Sequence, residues 1–450
     1  MSIPSGASAH NAERTVDVAL GGCDPFALTR EFGTPLLVID EAALRAQMER
    51  FRLAFSGSSR AGRANPIAVD VTYAAKALML KAIVRIAHEE GLAIDVCSAG
   101  ELHTALRAGV PAQRCLMHGC FKTPEEIELA VASGVGYVVV DHVAEIDALD
   151  AAGRARGVRQ RVLVRVNPEI ATDTHEHVQT SGPDSKFGFA IADGQARLAI
   201  ERVCAAHGLE LAGIHCHIGS RIYDLSKYDE EIAALAAFVR SLQGSSGPEF
   251  AVIDVGGGIG ISERGEGAPT AAQWADAIFE AVERHFIGAG LECAQLLVEP
   301  GRALVASAGT TLYTIGVRKT LPDGSRAVIV DGGLSDNPRP ALYDARYDVT
   351  LLHAPRRRPA SARYAGSASH PEVYTVFGRH CETDRLFPDV PLPDPRPGDL
   401  LAVHNSGAYT YSMASNYNRF PKPAVVLARA GQAKLIAKRE SLDHMLELDL

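Results

Sequence analysis

The sequence lacks several features that would place it in other protein classes. Its 450 residues contain no uninterrupted apolar run long enough to cross a bilayer, which takes about 20 residues. Its eight cysteines include no C-x-x-C pair, which argues against a zinc site or a disulfide framework and suits the reduced thiols of a cytosol. The net charge of -9 leaves no basic excess for nucleic acid or an anionic membrane. We therefore expect a cytoplasmic protein with neither nucleic acid nor membrane as a partner.

The composition of the sequence indicates a large globular protein. Hydrophobic residues make up 47% of the sequence and charged residues 22%, which is enough apolar material for an extensive core. A chain of this length usually divides into more than one domain.

Short apolar segments recur from about residue 70, with helical spacing between them. After the first of them, Leu80, Ile83, Val84 and Ala87 fall on one helical face, and Gly91 stands where a helix would end. The predicted strands cover 71–75, 93–98, 114–119, 137–141, 161–166, 211–218, 251–258 and 296–300. This count and spacing predict an α/β fold, a (β/α)8 TIM-type barrel, with a doubly wound sheet as the alternative.

The pattern changes after residue 306. Short strands broken by glycine, proline and aspartate are predicted at 312–317, 326–333, 373–378, 399–406 and 424–437. They indicate a second, mainly antiparallel β domain, which the apolar run 36–39 is expected to join. The predicted domains are an N-terminal tail and strand (1–45), the barrel (46–305) and a C-terminal β domain (306–450).

Lys76 directly follows the first predicted barrel strand. Active sites of such barrels are built at the C-terminal ends of the strands. A lone lysine there is most often a surface residue, but an amine at this rim can also form a Schiff base. Which of these two interpretations applies to Lys76 depends on the residues at the other strand ends.

The sixth strand ends in the segment His215-Cys216-His217-Ile218-Gly219-Ser220. The H-x-H spacing is compatible with a metal site, but no nearby cysteine or carboxylate completes a ligand set, and we predict no metal. A purely structural role for the two histidines remains an alternative. An imidazole lying over a planar cofactor ring, with Ser220 bonding a phosphate, fits at least as well.

The last two strand ends carry anion-binding and acidic groups. Gly256, Gly257 and Gly258 let backbone N–H groups approach an anion without interference from a Cβ atom. Glu299 can keep a heterocyclic nitrogen protonated, and Arg302, after Gly301, can meet a phosphate or carboxylate. Taken alone, each segment can be explained by a purely structural role, as a turn or as a salt bridge at the barrel rim. Together with Lys76 they favour pyridoxal 5'-phosphate as cofactor.

These segments match the motifs of a known family. The chain resembles the fold-type III pyridoxal phosphate-dependent decarboxylases, especially the diaminopimelate decarboxylases, from about residue 32 almost to the C-terminus. Further matching motifs lie at 73–77, 95–102, 184–188, 331–333, 339–343, 381–382, 407–409 and 416–418. The resemblance implies an alanine racemase-like fold and a homodimer with shared active sites.

The resemblance also implies residue roles. Lys76 would bind the cofactor covalently, His217 would stack on its ring and Glu299 would pair with the ring nitrogen. The phosphate would be held by Ser220, Gly256, Gly257, Gly258, Gly301, Arg302 and Tyr409. Substrate would be bound by Arg302, Arg339, Tyr343, Glu382 and Tyr409. Cys381 would donate a proton across the dimer interface.

Two segments depart from the family pattern. The family's H-G-N-N-K reads His118-Gly119-Cys120-Phe121-Lys122 here. After Cys381-Glu382 the usual Ser-Gly-Asp is replaced by Thr383-Asp384, one residue shorter. These changes bear on the distal substrate pocket more than on the cofactor site.

The expected reaction is decarboxylation of meso-2,6-diaminopimelate to L-lysine and CO2. Two guanidinium groups, Arg302 and Arg339, suit a substrate that carries a second carboxylate. A related decarboxylase of ornithine, lysine, arginine or a carrier-bound or siderophore-precursor amino acid stays open, because the loop after Cys381 is altered. A racemase and a catalytically silent pyridoxal phosphate-binding protein are the remaining alternatives.

Overall fold

The computed structural model describes residues 20–56, 67–170, 181–182, 184–243, 248–263, 267–354 and 371–450. The first 19 residues of the predicted N-terminal tail lie outside that part of the chain. Two sheets organise the described residues, one entirely parallel and one mainly antiparallel.

Eight parallel strands close into a barrel. Its neighbours run in the order β5-β4-β3-β2-β10-β9-β8-β6, and pairing of β5 with β6 closes the ring, while the short β7 extends from β6. The strands are β2 (Ala68–Ala74), β3 (Ala93–Val96), β4 (Cys115–Met117), β5 (Tyr137–Val140), β6 (Gln160–Asn167), β7 (Phe189–Ala190), β8 (Leu209–His215), β9 (Val252–Asp254) and β10 (Gln295–Val298).

Helices cover the outside of the barrel and connect its strands. They are α2 (Glu41–Phe55), α3 (Lys81–Glu89), α4 (Ala99–Ala108), α5 (Pro124–Ser133), α6 (Val143–Arg156), α7 (Gln195–Ala205), α8 (Ser226–Leu242), α9 (Ala271–His285) and α10 (Arg302–Val305). Helix α1 (Pro25–Phe32) precedes them, and α11 (Arg339–Tyr343) belongs to the second domain.

Local sequence explains where these helices begin and end. Helix α5 starts with a capping box, in which the Thr123 side chain and Glu126 satisfy each other's backbone N–H groups. It ends at Gly134, which adopts the left-handed conformation that glycine tolerates. The apolar faces of the helices then pack on strands that are buried throughout, such as β3 and β5.

The second sheet combines the strand before the barrel with those after it. Strand β1 (Leu36–Asp40) lies between β11 (Gly309–Thr320) and β17 (Ala424–Arg429). The remaining strands are β12 (Arg326–Val330), β13 (Val349–Leu352), β14 (Glu372–Phe377), β15 (Arg385–Leu392), β16 (Leu400–Val403) and β18 (Gln432–Ala437). All pairs are antiparallel except β1 with β17 and β12 with β14.

The predicted fold class is confirmed, with shorter strands at the rim. Strands β8 and β9 end at His215 and Asp254, because their pairing stops there and Gly256 turns the chain with a φ of +61°. The predicted segment 424–437 contains two strands, β17 and β18, joined by a turn at Ala430 and Gly431, both with positive φ. Among the described residues, no helix has the length and apolar character to cross a membrane.

Candidate active site

A cavity of about 550 Å³ lies at the C-terminal ends of the barrel strands, and we call it the rim cavity. The strands deliver its polar groups, and α11 and the segment around Tyr409 add side chains from the second domain. Ten of the predicted site residues line it: Lys76, His217, Ser220, Gly258, Glu299, Gly301, Arg302, Arg339, Tyr343 and Tyr409.

Lys76 lies in a single helical turn directly after β2. Its Nζ is 3.4 Å from Asp95 Oδ2, a carboxylate near the end of β3. That carboxylate, despite the opposing effect of burial, raises the pKa of the Lys76 amine well above its ordinary value. Asp95 is buried, whereas about half of the lysine side chain is exposed to the cavity, so the amine is both oriented and accessible.

Glu299 is a buried carboxylate surrounded by titratable groups. One oxygen lies 2.6 Å from His118 Nε2, and the other lies 3.5 Å from His215 Nε2. Burial by itself would raise the pKa of Glu299, but the two imidazoles hold it well below its ordinary value. Burial and the Glu299 charge together raise the pKa of the neighbouring Asp254. Glu299 is therefore the ionised member of this pair and Asp254 the neutral one.

His217 follows β8 and is held by the glycine loop. The Gly257 N–H donates to His217 Nδ1 over 3.2 Å, which fixes the ring with Nδ1 as acceptor. Burial and then the nearby Lys76 charge lower the pKa of His217 well below its ordinary value, so the ring is neutral. A neutral ring fixed in this way can lie against a flat aromatic ligand.

The three glycines after β9 have different surroundings. Gly258 lines the cavity, and a Cβ atom there would meet Gly219 O at 2.0 Å. The Gly256 N–H donates to Asp254 Oδ1, and the Gly257 N–H donates to His217. The first two glycines therefore position Asp254 and His217, and Gly258 is the one of the three that borders the cavity.

Two guanidinium groups face the cavity without an acidic partner. Arg302 and Arg339 form no ion pair with any described carboxylate, and each lies against the Tyr409 ring, at 4.8 and 5.5 Å. Arg302 Nε is buried and has no hydrogen-bond partner among the described residues. Burial, and secondarily the Arg339 charge, lower the pKa of Arg302. Such paired cations create a strong preference for an anionic ligand.

Cys381 and Glu382 do not reach the rim cavity of their own chain. Both are exposed in residues 378–385, which we call the Cys381 loop. Glu382 instead borders a separate groove of about 600 Å³ beside Asp344 and Tyr417. The structure thus separates these two predicted site residues from the other ones within a single chain.

Sequence reasoning missed several cavity residues. Arg165 lines the cavity near the end of β6, stacked 4.4 Å from the Phe187 ring and 3.7 Å from Asp141. A charged residue inside the apolar run 161–166 was the available signal. His118 and His215 were noticed in their motifs, but their contacts with Glu299 depend on neighbouring strands.

His118, His215 and Glu299 also form the cluster whose chemistry could hold a metal ion. Their donor atoms all lie within 4.8 Å of one another. Ligands of one tetrahedral zinc ion, each about 2.0 to 2.2 Å from the metal, stand roughly 3.4 Å apart. The 2.6 Å contact between His118 and Glu299 is too short for that, so the two side chains form a close imidazole–carboxylate contact instead of a metal site.

Comparison with known proteins identifies the family. The model "Pyridoxal-dependent decarboxylase, pyridoxal binding domain" matches residues 42–306. The diaminopimelate decarboxylase of Bacillus subtilis is 40% identical over 435 residues, covering 96% of this chain and 94% of that protein. The enzyme of the same name from Mycobacterium bovis is 39% identical over 444 residues, covering 96% and 95%. The chain belongs to the diaminopimelate decarboxylase family.

A solved structure agrees with this placement. The diaminopimelate decarboxylase of M. jannaschii, in complex with L-lysine, has a TM-score of 0.85 and 31% identity, covering 95% of this chain and 94% of that one. Like its family, this chain is a carboxy-lyase that uses pyridoxal phosphate, so the predicted family, enzyme class and cofactor are confirmed.

The rim cavity fits that cofactor on its own chemistry. It offers an amine, a buried carboxylate for a ring nitrogen, a neutral imidazole for a ring face and, for a phosphate, the Arg302 guanidinium, whose buried Nε has no partner among the described residues. No other group is needed to account for the anion-binding character of the cavity.

Proposed function

We propose that this enzyme removes one carboxyl group of meso-2,6-diaminopimelate and releases L-lysine and CO2. The observation that carries the proposal is the pair of guanidinium groups, Arg302 and Arg339, which lie in the same cavity as Lys76 without a described acidic partner. One can serve an anion of the cofactor, and the other is left for a carboxylate of the substrate. The names of the relatives and the L-lysine in the M. jannaschii structure support the same substrate and product.

Cofactor binding is assigned to the residues of the rim cavity. Lys76 would hold pyridoxal phosphate covalently, with His217 against its ring and Glu299 at its ring nitrogen. Its phosphate would be held by Ser220, Gly258, Gly301, Arg302 and Tyr409. Gly256 and Gly257 would act through the shape of the loop, because their N–H groups are already engaged.

The bound cofactor supplies an electron sink for the pair that remains when CO2 leaves. The protein residues determine whether that sink is available. Glu299, kept ionised by His118 and His215, would hold a proton on the ring nitrogen. Arg339 and Tyr343 on α11 would orient the substrate carboxylate, and the guanidinium of Arg339 is steadied 5.2 Å from the Tyr343 ring.

Cys381 and Glu382 are assigned to the site of a second subunit. We propose a homodimer in which the Cys381 thiol donates the proton that replaces CO2 and Glu382 binds the distal amino end of the substrate. Support comes from their exposure and from their separation from the rim cavity in one chain. A cytoplasmic location stays a prediction from the eight free thiols.

A related amino-acid decarboxylase is the second candidate. The observation that favours it is the Cys381 loop, which is one residue shorter than the family pattern and carries Glu382. A change in this loop would alter the recognition of the distal end of the substrate, not the cofactor chemistry.

The test is substrate turnover by the purified protein. The enzyme is incubated with pyridoxal phosphate and meso-diaminopimelate, and CO2 and lysine are measured, with ornithine, lysine and arginine as parallel substrates and Lys76→Ala as the blank. We expect lysine and CO2 in equal amounts from diaminopimelate alone. Turnover of ornithine, lysine or arginine at a comparable rate would overturn the proposed specificity.

A further inference from the structure

The His118 side chain lies close to two buried carboxylates, Asp95 and Glu299. Its Nε2 is 2.6 Å from Glu299 Oε1 and 3.8 Å from Asp95 Oδ1. Asp95 in turn holds the Lys76 amine. Within the described residues, His118 is the histidine that approaches both carboxylates, and its side chain is only 9% exposed.

The backbone around His118 is fixed from two sides. Its N–H donates to Val96 O over 2.7 Å, which aligns it with the end of β3. The buried Lys122 donates to Gly119 O over 3.0 Å and forms a 2.6 Å ion pair with Glu145. The imidazole therefore reaches Glu299 from a rigid support, and its distance to the carboxylate is set by the fold.

The other titratable neighbours of Glu299, His215 and Asp254, provide no cationic contact as short as that of His118. His215 Nε2 is 3.5 Å away, at the outer limit for a hydrogen bond, and has no other described partner. Burial and the adjacent Glu299 charge raise the pKa of Asp254, so Asp254 is a neutral carboxyl that does not compensate the charge of Glu299. The 2.6 Å contact with His118 is therefore the shorter of the two imidazole contacts of this carboxylate.

We propose that His118 is a positioning residue that acts on the cofactor through Glu299. Through the close contact between its Nε2 and Glu299 Oε1, it keeps this carboxylate ionised and oriented toward the cavity, and so sets how strongly the site prefers a protonated ring nitrogen. The inference rests on the proposed placement of Glu299 at that nitrogen, and it adds a residue outside the predicted site.

The test compares the dissociation constants of two cofactors and does not depend on enzyme activity. Apoenzyme is titrated with pyridoxal phosphate and with its 1-deaza analogue, in which a C–H group replaces the ring nitrogen, and both dissociation constants are measured. Variants are His118→Phe, which removes the donor, and His118→Gln, whose longer amide can still donate to Glu299. His142→Phe is the matched control, since His142 also follows a barrel strand but lies against Phe121, away from Glu299.

We expect wild type to prefer pyridoxal phosphate over the analogue. The His118→Phe variant should lose about tenfold or more of that preference, as expected when a buried charge loses a close polar contact, while His118→Gln and the control keep most of it. If His118→Phe does not fold, His118→Asn removes the same contact, because its amide is too short to reach the carboxylate.

Equal weakening of both cofactors by His118→Phe or His118→Asn would overturn the proposal and leave His118 a structural residue. A wild type that binds both cofactors equally would overturn it together with the assignment of Glu299. Neither result depends on which amino acid is decarboxylated, so failure of the proposed substrate specificity would be recognised separately.

Discussion

The rim cavity and the Cys381 loop differ in how the chain builds them. The cavity gathers groups from many strand ends, and its key charges, Asp95 and Glu299, are buried and held by neighbouring side chains. The loop lies at the surface of the second domain, with Cys381 and Glu382 exposed. It nevertheless has a firm base, because Asp384 accepts hydrogen bonds from His380 and from the Leu334 N–H.

This difference indicates a division of labour. One chain contains the groups proposed to bind and activate the cofactor, whereas the groups proposed to deliver a proton and to recognise the distal end of the substrate lie outside its rim cavity. A rigid loop that is exposed in one chain is suited to fit a preformed surface of another. Substitutions in the rim cavity should therefore affect cofactor binding, whereas substitutions in the Cys381 loop should affect turnover and leave cofactor binding intact.

Lys76→Ala and Cys381→Ala should separate the two regions most strongly. Lys76→Ala should abolish turnover and the visible absorption band of the bound cofactor. Cys381→Ala should lower kcat by about 10²- to 10⁴-fold, the range of a lost general acid, while the band stays unchanged. Loss of the band in Cys381→Ala would show that the loop is part of cofactor binding after all.

Lys122→Met tests the rigidity of the cavity rim. It leaves Glu145 buried without its cation, and such a loss destabilises proteins by about 3 to 5 kcal/mol, measured as the free energy of unfolding in urea. The matched control is Arg202→Met, which breaks an exposed pair with Asp147 and should change that free energy far less. Equal effects of the two variants would contradict a rim held by a buried ion pair.

Asp384→Ala tests the base of the Cys381 loop. Without its carboxylate, His380 and the Leu334 N–H lose their partner, so Cys381 and Glu382 are no longer held in place. We expect kcat to fall about tenfold, roughly the effect of one charge-assisted hydrogen bond, with an unchanged dissociation constant for the cofactor. A weakened cofactor affinity would argue against independent regions.

Glu231→Gln tests a buried acid behind the cavity. Burial raises the pKa of Glu231 to about 8, and the neighbouring Cys216 thiol offsets only a part of this. Between its ordinary pKa and about 8, the unfolded chain releases this proton and the folded chain keeps it, so stability falls as pH rises. The variant should gain on wild type by up to about 1.4 kcal/mol per pH unit in that window. A pH-independent difference in urea unfolding would contradict a protonated Glu231.

Much of the barrel was predictable, because its signals are local. The strands are short apolar runs, and the groups directly after them, such as Lys76, must lie at the rim of a parallel barrel. The same reasoning placed Glu299 and His217 in one cavity. Strand ends were less accurate, since β8 and β9 stop where pairing stops, which neighbouring strands decide.

The sequence could not reveal contacts that depend on distant segments. Arg165 enters the site between Asp141 and Phe187, and these three lie on separate parts of the chain. The different roles of Gly256, Gly257 and Gly258 likewise depend on tertiary contacts, because the N–H groups of the first two glycines already donate to Asp254 and His217. Such roles follow from geometry that residue types alone do not specify.

The most direct test of a site shared between two chains is complementation. Inactive Lys76→Ala and Cys381→Ala proteins are unfolded together, refolded with pyridoxal phosphate and assayed for CO2 release from diaminopimelate, with each variant refolded alone as control. A mixed dimer would contain one site with both native residues, so about a quarter of wild-type activity should return. Recovery no greater than the sum of the separate variants would contradict the shared site.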